Sequence, residues 1–541
     1  MILNWRNIKN NTMGNLSSLV SFIIVLVAFV FSSAANIYAQ NDLNTQANKV
    51  GQTLFYINKL YLDTTNMVEL TDAALDAMMK QLDPHSSYIS AKDIKAMNEP
   101  LEGNFDGIGV EFALIHDTLT INSTIPGGPS EKVGIRAGDK IIKVDDELIA
   151  GTGLTIERVH KYLRGPKGTK VKVEVKRKGV EEPLEFLITR DKIPLNSLDA
   201  YYLIDNNIAY LRLTRFAATS YKEMLLAFKD MKVQPEGIIL DLRNNPGGYL
   251  LAAIQIANEF LNKGDLIVYT EGRTVNRMEE YANGNGLFKN TPIAVLIDEN
   301  SASASEIVSG AIQDWDRGMV IGRRSFGKGL VQQQLPLPDG SALRLTVSRY
   351  HTPSGRVIQS PYEQGKKDDY YQKLVERYNR GETFSRDSIH LADSIVFRTR
   401  KLGRPVYGGG GIMPDLFVPQ DTSYYTPFYG EILRKGLLTD YMNEYSDNNR
   451  ARILKKYPKV SQFVAKFNVS DNDIDSFLAY CKENGVEPKE GDMAISGNEI
   501  RKYYKGLIIR SVYTFNGFIE FINQDDREIK EAVKYLLEER Q

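Results

Sequence analysis

From Asn207 onward the sequence alternates two periodicities, and that alternation restricts the fold more than any other feature. Apolar runs of strand length, Ile208–Leu213, Gly237–Leu242 and Ile293–Ile297, are separated by helical spacing near Ser220–Met231, Tyr249–Phe260 and Ala304–Trp315. Repeats of this size build a sheet covered by helices, so an α/β core is expected. Gly329–Leu337 and Ser341–Tyr350 flank Pro338-Asp339-Gly340, which reads as a hairpin appended to that core.

The core is assigned to residues 191–420 and is interrupted at 363–404 by a polar stretch containing Arg377, Arg380 and Arg386-Asp387. That stretch reads as a surface insertion, partly helical. Residues 103–190 carry short β-rich runs between glycine turns, with one helix near Thr155–Leu163, the rhythm of a single small β module. Residues 41–102 show two helical faces, Leu54, Ile57, Leu60 and Tyr61 on one, Leu70, Ala74, Leu75, Met78, Met79 and Leu82 on the other, so two packed helices are expected. Residues 421–541 are again helical in pattern, rich in Tyr and Lys, with no motif tied to chemistry.

At the start, Arg6 and Lys9 precede an apolar run from Leu16 to Phe31, then Ser32-Ser-Ala-Ala35 and Ala39-Gln40. Residues 1–40 therefore read as a signal peptide, with export to the periplasm expected. An uncleaved helix anchoring the chain to the inner membrane is the alternative. Basic and acidic residues number 67 and 68, leaving a net charge of −1, so no nucleic-acid partner is expected. The single cysteine, Cys481, and five histidines make no multi-cysteine metal site or internal disulfide, and neither metal nor other cofactor is expected.

Chemistry concentrates where core strands end. Strand Gly237–Leu242 runs into Arg243-Asn-Asn-Pro-Gly247-Gly248, strand Ile293–Ile297 into Asp298-Glu-Asn-Ser301-Ala-Ser303-Ala-Ser305-Glu306, and Ser325-Phe-Gly-Lys328-Gly into the hairpin. A serine at a strand-to-helix turn meets free N–H groups that favour an oxyanion, although N-capping alone also explains a serine there. Pro246-Gly-Gly248 lets backbone approach a substrate, or simply turns the chain. Lys328, Leu330 and Gln332 share one face of an extended segment. Leu330 there would dry the amine and Gln332 would orient it as a base, while a solvated lysine reads identically. Of the histidines only His351 lies in the core, and it is the other candidate base.

Asn300-Ser-Ala-Ser303-Ala-Ser-Glu-Ile307, with Lys328 25 positions beyond Ser303 in Phe326-Gly-Lys-Gly-Leu-Val-Gln332, resembles the carboxy-terminal processing (tail-specific) serine peptidases. Asp241-Leu-Arg-Asn-Asn-Pro-Gly-Gly248, Thr352-Pro-Ser-Gly355, Gly411-Ile-Met-Pro-Asp415, Leu82-Asp-Pro-His-Ser-Ser-Tyr88 and Gly107-Ile-Gly-Val110 match further signatures of that family. The resemblance implies an α/β peptidase core with an inserted PDZ domain, flanked by N- and C-terminal helical regions. It implies Ser303 as nucleophile, Lys328 as general base and Gln332 as the residue orienting it. Backbone N–H groups of Ala304 and of Gly247 or Gly248 would form the oxyanion hole. Gly107, Ile108, Gly109 and Val110 would present N–H groups to the terminal carboxylate of a protein or peptide tail, unless their glycines merely shape a turn. The expected function is an exported endopeptidase acting on free C-terminal tails, and the competing reading is a noncatalytic PDZ adaptor on the same fold.

Overall fold

The computed structural model describes residues 42–390 and 396–539. The run read as signal peptide or anchor lies outside these residues. Among the described residues no helix is long and apolar enough to cross a membrane.

The chain divides into two units, the first ending at Met79. It holds a helix at residues 42–60 and nearly all of helix Met67–Lys80, whose first turn is capped by the Asn66 side chain accepting the N–H groups of Val68 and Glu69. Leu54 and Ile57 are half-buried, whereas Leu60 and Tyr61 of the same expected face are exposed. The rest of the segment expected to be purely helical belongs to the second unit and differs: it supplies strand Ser87–Ile89 before helix Ile94–Glu102. A three-residue strand is too short to leave a period in the sequence.

In the second unit a six-stranded sheet runs in the order Leu198–Ile204, Ile208–Leu213, Gly237–Asp241, Ile293–Ile297, Met319–Gly322, Leu416–Phe417. The first pair is antiparallel and the others parallel. Side chains alternate between faces, so the uniformly apolar strands feed two cores. Ile238, Leu240, Val295 and Ile297 pack with helices Ser220–Met231, Leu250–Asn258 and Ala304–Asp314. Ile239, Ala294 and Leu296 pack with Ile529, Ala532 and Leu536 of helix Arg527–Glu538.

That last helix shows how the region expected as one C-terminal helical block is divided. Helices from Pro427–Arg434 to Asp492–Val512 close over their own core of Ile432, Met442, Phe463, Phe477 and Tyr504. Phe515–Ile522 and Arg527–Glu538 instead cover the second face of the peptidase sheet. An apolar sheet face needs a cover, and helical periodicity does not say which core a helix joins.

The expected hairpin is present as Leu330–Pro336 paired with Ala342–His351. The longer strand also pairs with Ser87–Ile89 and Leu266–Glu271. The small β module forms a sheet in the order Val110–Ile115, Thr118–Thr124, Lys140–Val144, Lys170–Lys176, Leu184–Thr189. Val110–Ile115 is thus an edge strand, and helix Ile156–Leu163 buries Val159 and Leu163 in the module core. The two strands through which the chain enters and leaves this module, Asn104–Gly107 and Asp191–Pro194, pair antiparallel with one another. The module also meets the C-terminal helices, through His116 with Glu444 (3.1 Å) and Lys140 with Asp447 (3.9 Å).

Candidate active site

Strand Ile293–Ile297 delivers Asp298–Ser303 to the head of helix Ala304–Asp314. Ser303 occupies the N-cap with φ +55° and ψ −111°, a costly backbone for a residue with a Cβ. Its neighbours are engaged elsewhere. Ser301 and Ser305 are fully buried, their hydroxyls donating to the carbonyls of Leu242 (2.8 Å) and Asn245 (2.9 Å). Those two bonds stitch the Asp298–Ser303 loop to the Leu242–Gly248 loop, and of the three serines only Ser303 keeps a solvent-facing surface.

The glycine pair sits directly against Ser303. A Cβ on Gly247 would lie 2.8 Å from Ser303 Cβ and 2.9 Å from the Ala304 nitrogen, and one on Gly248 2.1 Å from the Phe216 carbonyl oxygen. Both have positive φ, so this approach is open to glycine alone. Buried Asn245 accepts the Gly247 N–H on Oδ1 (2.9 Å) and donates from Nδ2 to Leu213 (2.7 Å). The Gly247 N–H is therefore spent, whereas those of Gly248 and Ala304 donate to no acceptor among the described residues.

Lys328 lies in the loop before strand Leu330–Pro336. Its amine has no hydrogen-bond or ion-pair partner among the described residues. Burial pushes the amine below the ordinary lysine range, the Arg344 guanidinium adds to the effect, and the carboxylates of Glu306 and Asp83 oppose it. Lys328 precedes the strand, and the register shift between Val331 and Gln332 leaves its extra residue, Val347, on the partner strand. The Gln332 amide donates to the Leu330 carbonyl (3.2 Å) and to Thr346 Oγ1 (3.3 Å), which leaves its own carbonyl oxygen free to accept.

Glu306 joins the Ser303 and Lys328 backbones, and the sequence reading passed over it. It is fully buried. One oxygen accepts the N–H groups of Ser303 (2.8 Å) and Lys328 (2.9 Å), the other the Gly327 N–H (2.7 Å) and the Ser325 hydroxyl (2.5 Å). Burial raises its pKa and these four donors oppose the rise, as expected for a carboxylate acting only as acceptor. The signal was available: Ser303-x-x-Glu306 is a capping-box pattern. Tyr350, also fully buried, places its hydroxyl between the carbonyl oxygens of Ser303 (3.1 Å) and Lys328.

His85 and Asp83 also arrive here from far along the chain. Asp83 accepts the hydroxyls of Ser86 and Thr346, the latter the same hydroxyl that accepts from Gln332. The His85 ring packs edge-on to Tyr370 at 5.3 Å, its Nε2 buried without a hydrogen-bond partner. Burial, reinforced by the charge of Lys328, pushes its pKa down to about 4, so it is neutral at physiological pH. His351 is held elsewhere: it stacks on Tyr269 at 4.4 Å, with Nδ1 3.2 Å from the Gly355 carbonyl and Nε2 3.1 Å from Glu271. Neighbouring strand residues face opposite ways, so with Tyr350 turned toward Ser303, His351 turns away.

In the β module, Gly107, Ile108, Gly109 and Val110 line a small groove of about 80 Å³ between the edge strand and helix Ile156–Leu163, with Phe112, Val159 and Leu163 as apolar walls. The Ile108 carbonyl is pinned by the N–H (3.0 Å) and hydroxyl (2.7 Å) of Ser130. Arg164 closes one side, its guanidinium 4.5 Å from the Phe105 ring and paired with Glu99 at 2.7 Å.

A serine at a strained helix head, a desolvated lysine tied to its loop through Glu306 and an inserted β module with a groove fit the class of PDZ-bearing serine peptidases. Residues 207–371 match Peptidase family S41, residues 120–177 match the PDZ domain, and residues 428–514 match a family of unknown function. The chain is 39% identical over 351 residues to the carboxy-terminal-processing protease of Bartonella bacilliformis, covering 62% of this chain and 80% of that one. A probable CtpA-like serine protease of Staphylococcus aureus is 33% identical over 347 residues, covering 63% and 68% respectively. Among solved structures, the photosystem II D1 C-terminal processing protease matches at 28% identity over 57% of this chain and 89% of that one, with a TM-score of 0.31. The chain belongs to the carboxy-terminal-processing protease family and is a serine protease.

Proposed function

We propose that this protein is an exported endopeptidase that captures C-terminal protein tails in its PDZ groove and cleaves them with a Ser303–Lys328 dyad. The observation that carries the dyad is the pairing of an unpartnered, desolvated amine with a serine whose loop is tied to it through Glu306. A neutral Lys328 takes the Ser303 hydroxyl proton as Oγ attacks the scissile carbonyl carbon. Negative charge then gathers on the carbonyl oxygen, where the unspent N–H groups of Ala304 and Gly248 would receive it. The C–N bond breaks as the Lys328 ammonium returns its proton to the leaving amine, giving an acyl-enzyme. Water, deprotonated by the same amine, then releases the new carboxylate and free Ser303. Gln332 would orient Lys328 by accepting from its ammonium on the amide oxygen that its bonds to Leu330 and Thr346 leave free.

Tail capture rests on the edge strand beside the Gly107–Val110 loop, to which an extended peptide can add as a further strand. The apolar walls favour an apolar terminal residue. Export rests on the apolar run before Ala39, and the inner membrane is the destination if that run is kept. The direct experiment incubates wild-type and Ser303→Ala protein with an unstructured polypeptide bearing a free or an amidated C-terminus. Cleavage by wild type alone, faster on the free acid, supports the reading; cleavage by Ser303→Ala defeats it.

A further inference from the structure

The Arg324–Gly329 segment, which carries Lys328, belongs to no helix or strand. Its peptide groups must therefore find partners one by one. The N–H groups are taken by the core: Ser325 donates to Ile412 (3.0 Å), Phe326 to Ser301 (3.0 Å), and Gly327 and Lys328 to Glu306. Of the six carbonyls, three are taken by the insertion, and Ser360 and Tyr350 take the others. The guanidinium of Arg377, on insertion helix Lys367–Asn379, donates to three successive carbonyls, those of Arg324 (3.3 Å), Ser325 (3.1 Å) and Phe326 (3.2 Å).

That guanidinium is itself held. Its Nε donates to Glu382 (3.1 Å), which is 4% exposed and also accepts from Arg324 (3.1 Å) and Arg380 (3.0 Å). Two turns earlier on the same helix, Tyr370 packs its ring against Phe326 (6.3 Å) and against His85 (5.3 Å). The insertion thus grips the lysine's segment from the side opposite Glu306. A merely decorative surface loop would make none of these bonds.

We infer that Arg377 is a positioning residue for the base, fixing the Arg324–Gly329 backbone so that the Lys328 amine stays dry and aligned with Ser303. The inference rests on the reading of Lys328 as base. Without Arg377 the carbonyls of Arg324 and Ser325 lose their donor and that of Phe326 keeps only the Ser360 hydroxyl (3.3 Å), the segment relaxes toward water, and the amine regains proton affinity. More of the enzyme is then protonated and idle at neutral pH, while substrate binding in the PDZ groove, which Arg377 does not line, is untouched.

The test measures kcat and KM of full-length wild type, Arg377→Ala, Arg377→Lys and Lys328→Ala on an unstructured polypeptide from neutral to alkaline pH. Arg377→Ala is expected to lose about tenfold in kcat at neutral pH, regained at alkaline pH because its acid limb moves up by about one pH unit, with KM within about twofold. Arg377→Lys restores one donor and falls between. Loss of a purely structural support would lower the amount of active enzyme without moving the limb. Should Arg377→Ala not fold, Tyr370→Leu carries the test with a smaller shift of the same sign, since it breaks no bond to Glu382. An unmoved limb in the folded variant, with Lys328→Ala inactive, overturns this inference alone. Turnover by a folded Lys328→Ala protein overturns the base reading itself.

Discussion

At the scale of single residues the site is an arrangement of protonation states. As the proposed base Lys328 must be neutral to work, so activity is expected to rise with pH through the lysine's depressed pKa and to fall on acidification. Lys328→Ala is expected to abolish turnover with the fold intact. Lys328→Arg should fail as well, because a guanidinium keeps its proton; a folded variant of either kind that still cleaves would refute the assignment. His85 makes a second, independent prediction. Its folded pKa of about 4 lies below the ordinary 6.5, so below pH 6.5 the unfolded chain takes up a proton that the folded one refuses. Stability is then complete above the unfolded pKa and falls by roughly 3 kcal/mol as pH drops from there toward 4. His85→Phe, which keeps an aromatic ring against Tyr370, should flatten the decline in melting temperature between pH 7 and 5. A decline as steep as in wild type would contradict it. Ser303 and Lys328 could be singled out because a motif carries them. Ser301 and Ser305 could not be told from Ser303 by local sequence, since the carbonyls that engage them belong to a loop some 60 residues earlier. His85 looked remote because 243 residues separate it from Lys328, and no periodicity crosses that distance.

At the scale of elements, the parallel strands were readable because burial on both faces leaves uninterrupted apolar runs such as Ile293–Ile297. The bulge at Val347 was not, because an extra residue on one strand has no composition of its own. Nor was the docking of helix Arg527–Glu538. This helix does more than cover the sheet. Its Glu528, with Asp526 just ahead of it, holds Arg243, which also pairs with buried Asp241 at the root of the glycine loop, and Glu528 reaches Arg323 at the start of the Lys328 segment. Leu536 is fully buried and would lie 3.3 Å from a Cβ on Gly237. Leu536→Ala should cost about 2–5 kcal/mol in urea unfolding, as for other buried leucines. A change below about 0.5 kcal/mol, the ordinary range of surface substitutions, would show that the helix does not stabilise the sheet.

At the scale of the whole molecule, the order of parts was legible because the motifs fall in sequence and turn chemistry marks the small module. The division of the C-terminal helices between two cores was not. The proposed recognition and cutting sites are different parts of the fold, so they should fail separately. Amidating a substrate's C-terminus removes the charge the Gly107–Val110 loop would meet, and should raise KM about tenfold or more with little change in kcat, as loss of a charge-assisted contact of 1.5–3 kcal/mol implies. Equal KM values for free-acid and amidated substrates of several sequences would show that the module does not read tails. Mass spectrometry of protein from its native host should find the chain shortened by about 35–40 residues, a length typical of signal peptides; an intact Met1 would contradict cleavage.

The antiparallel pairing of Asn104–Gly107 with Asp191–Pro194 has a further consequence. A module whose inbound and outbound strands are zipped together is joined covalently to the scaffold at one place, its other contacts including side-chain pairs such as His116 with Glu444. Cutting it out leaves two ends that a tight turn can join, and a foreign module with adjacent termini can take its place without stretching the scaffold. If the module reads tails as proposed, such a fold lets selectivity for a new set of tails be acquired by exchange of one cassette, while the cutting chemistry is inherited unchanged.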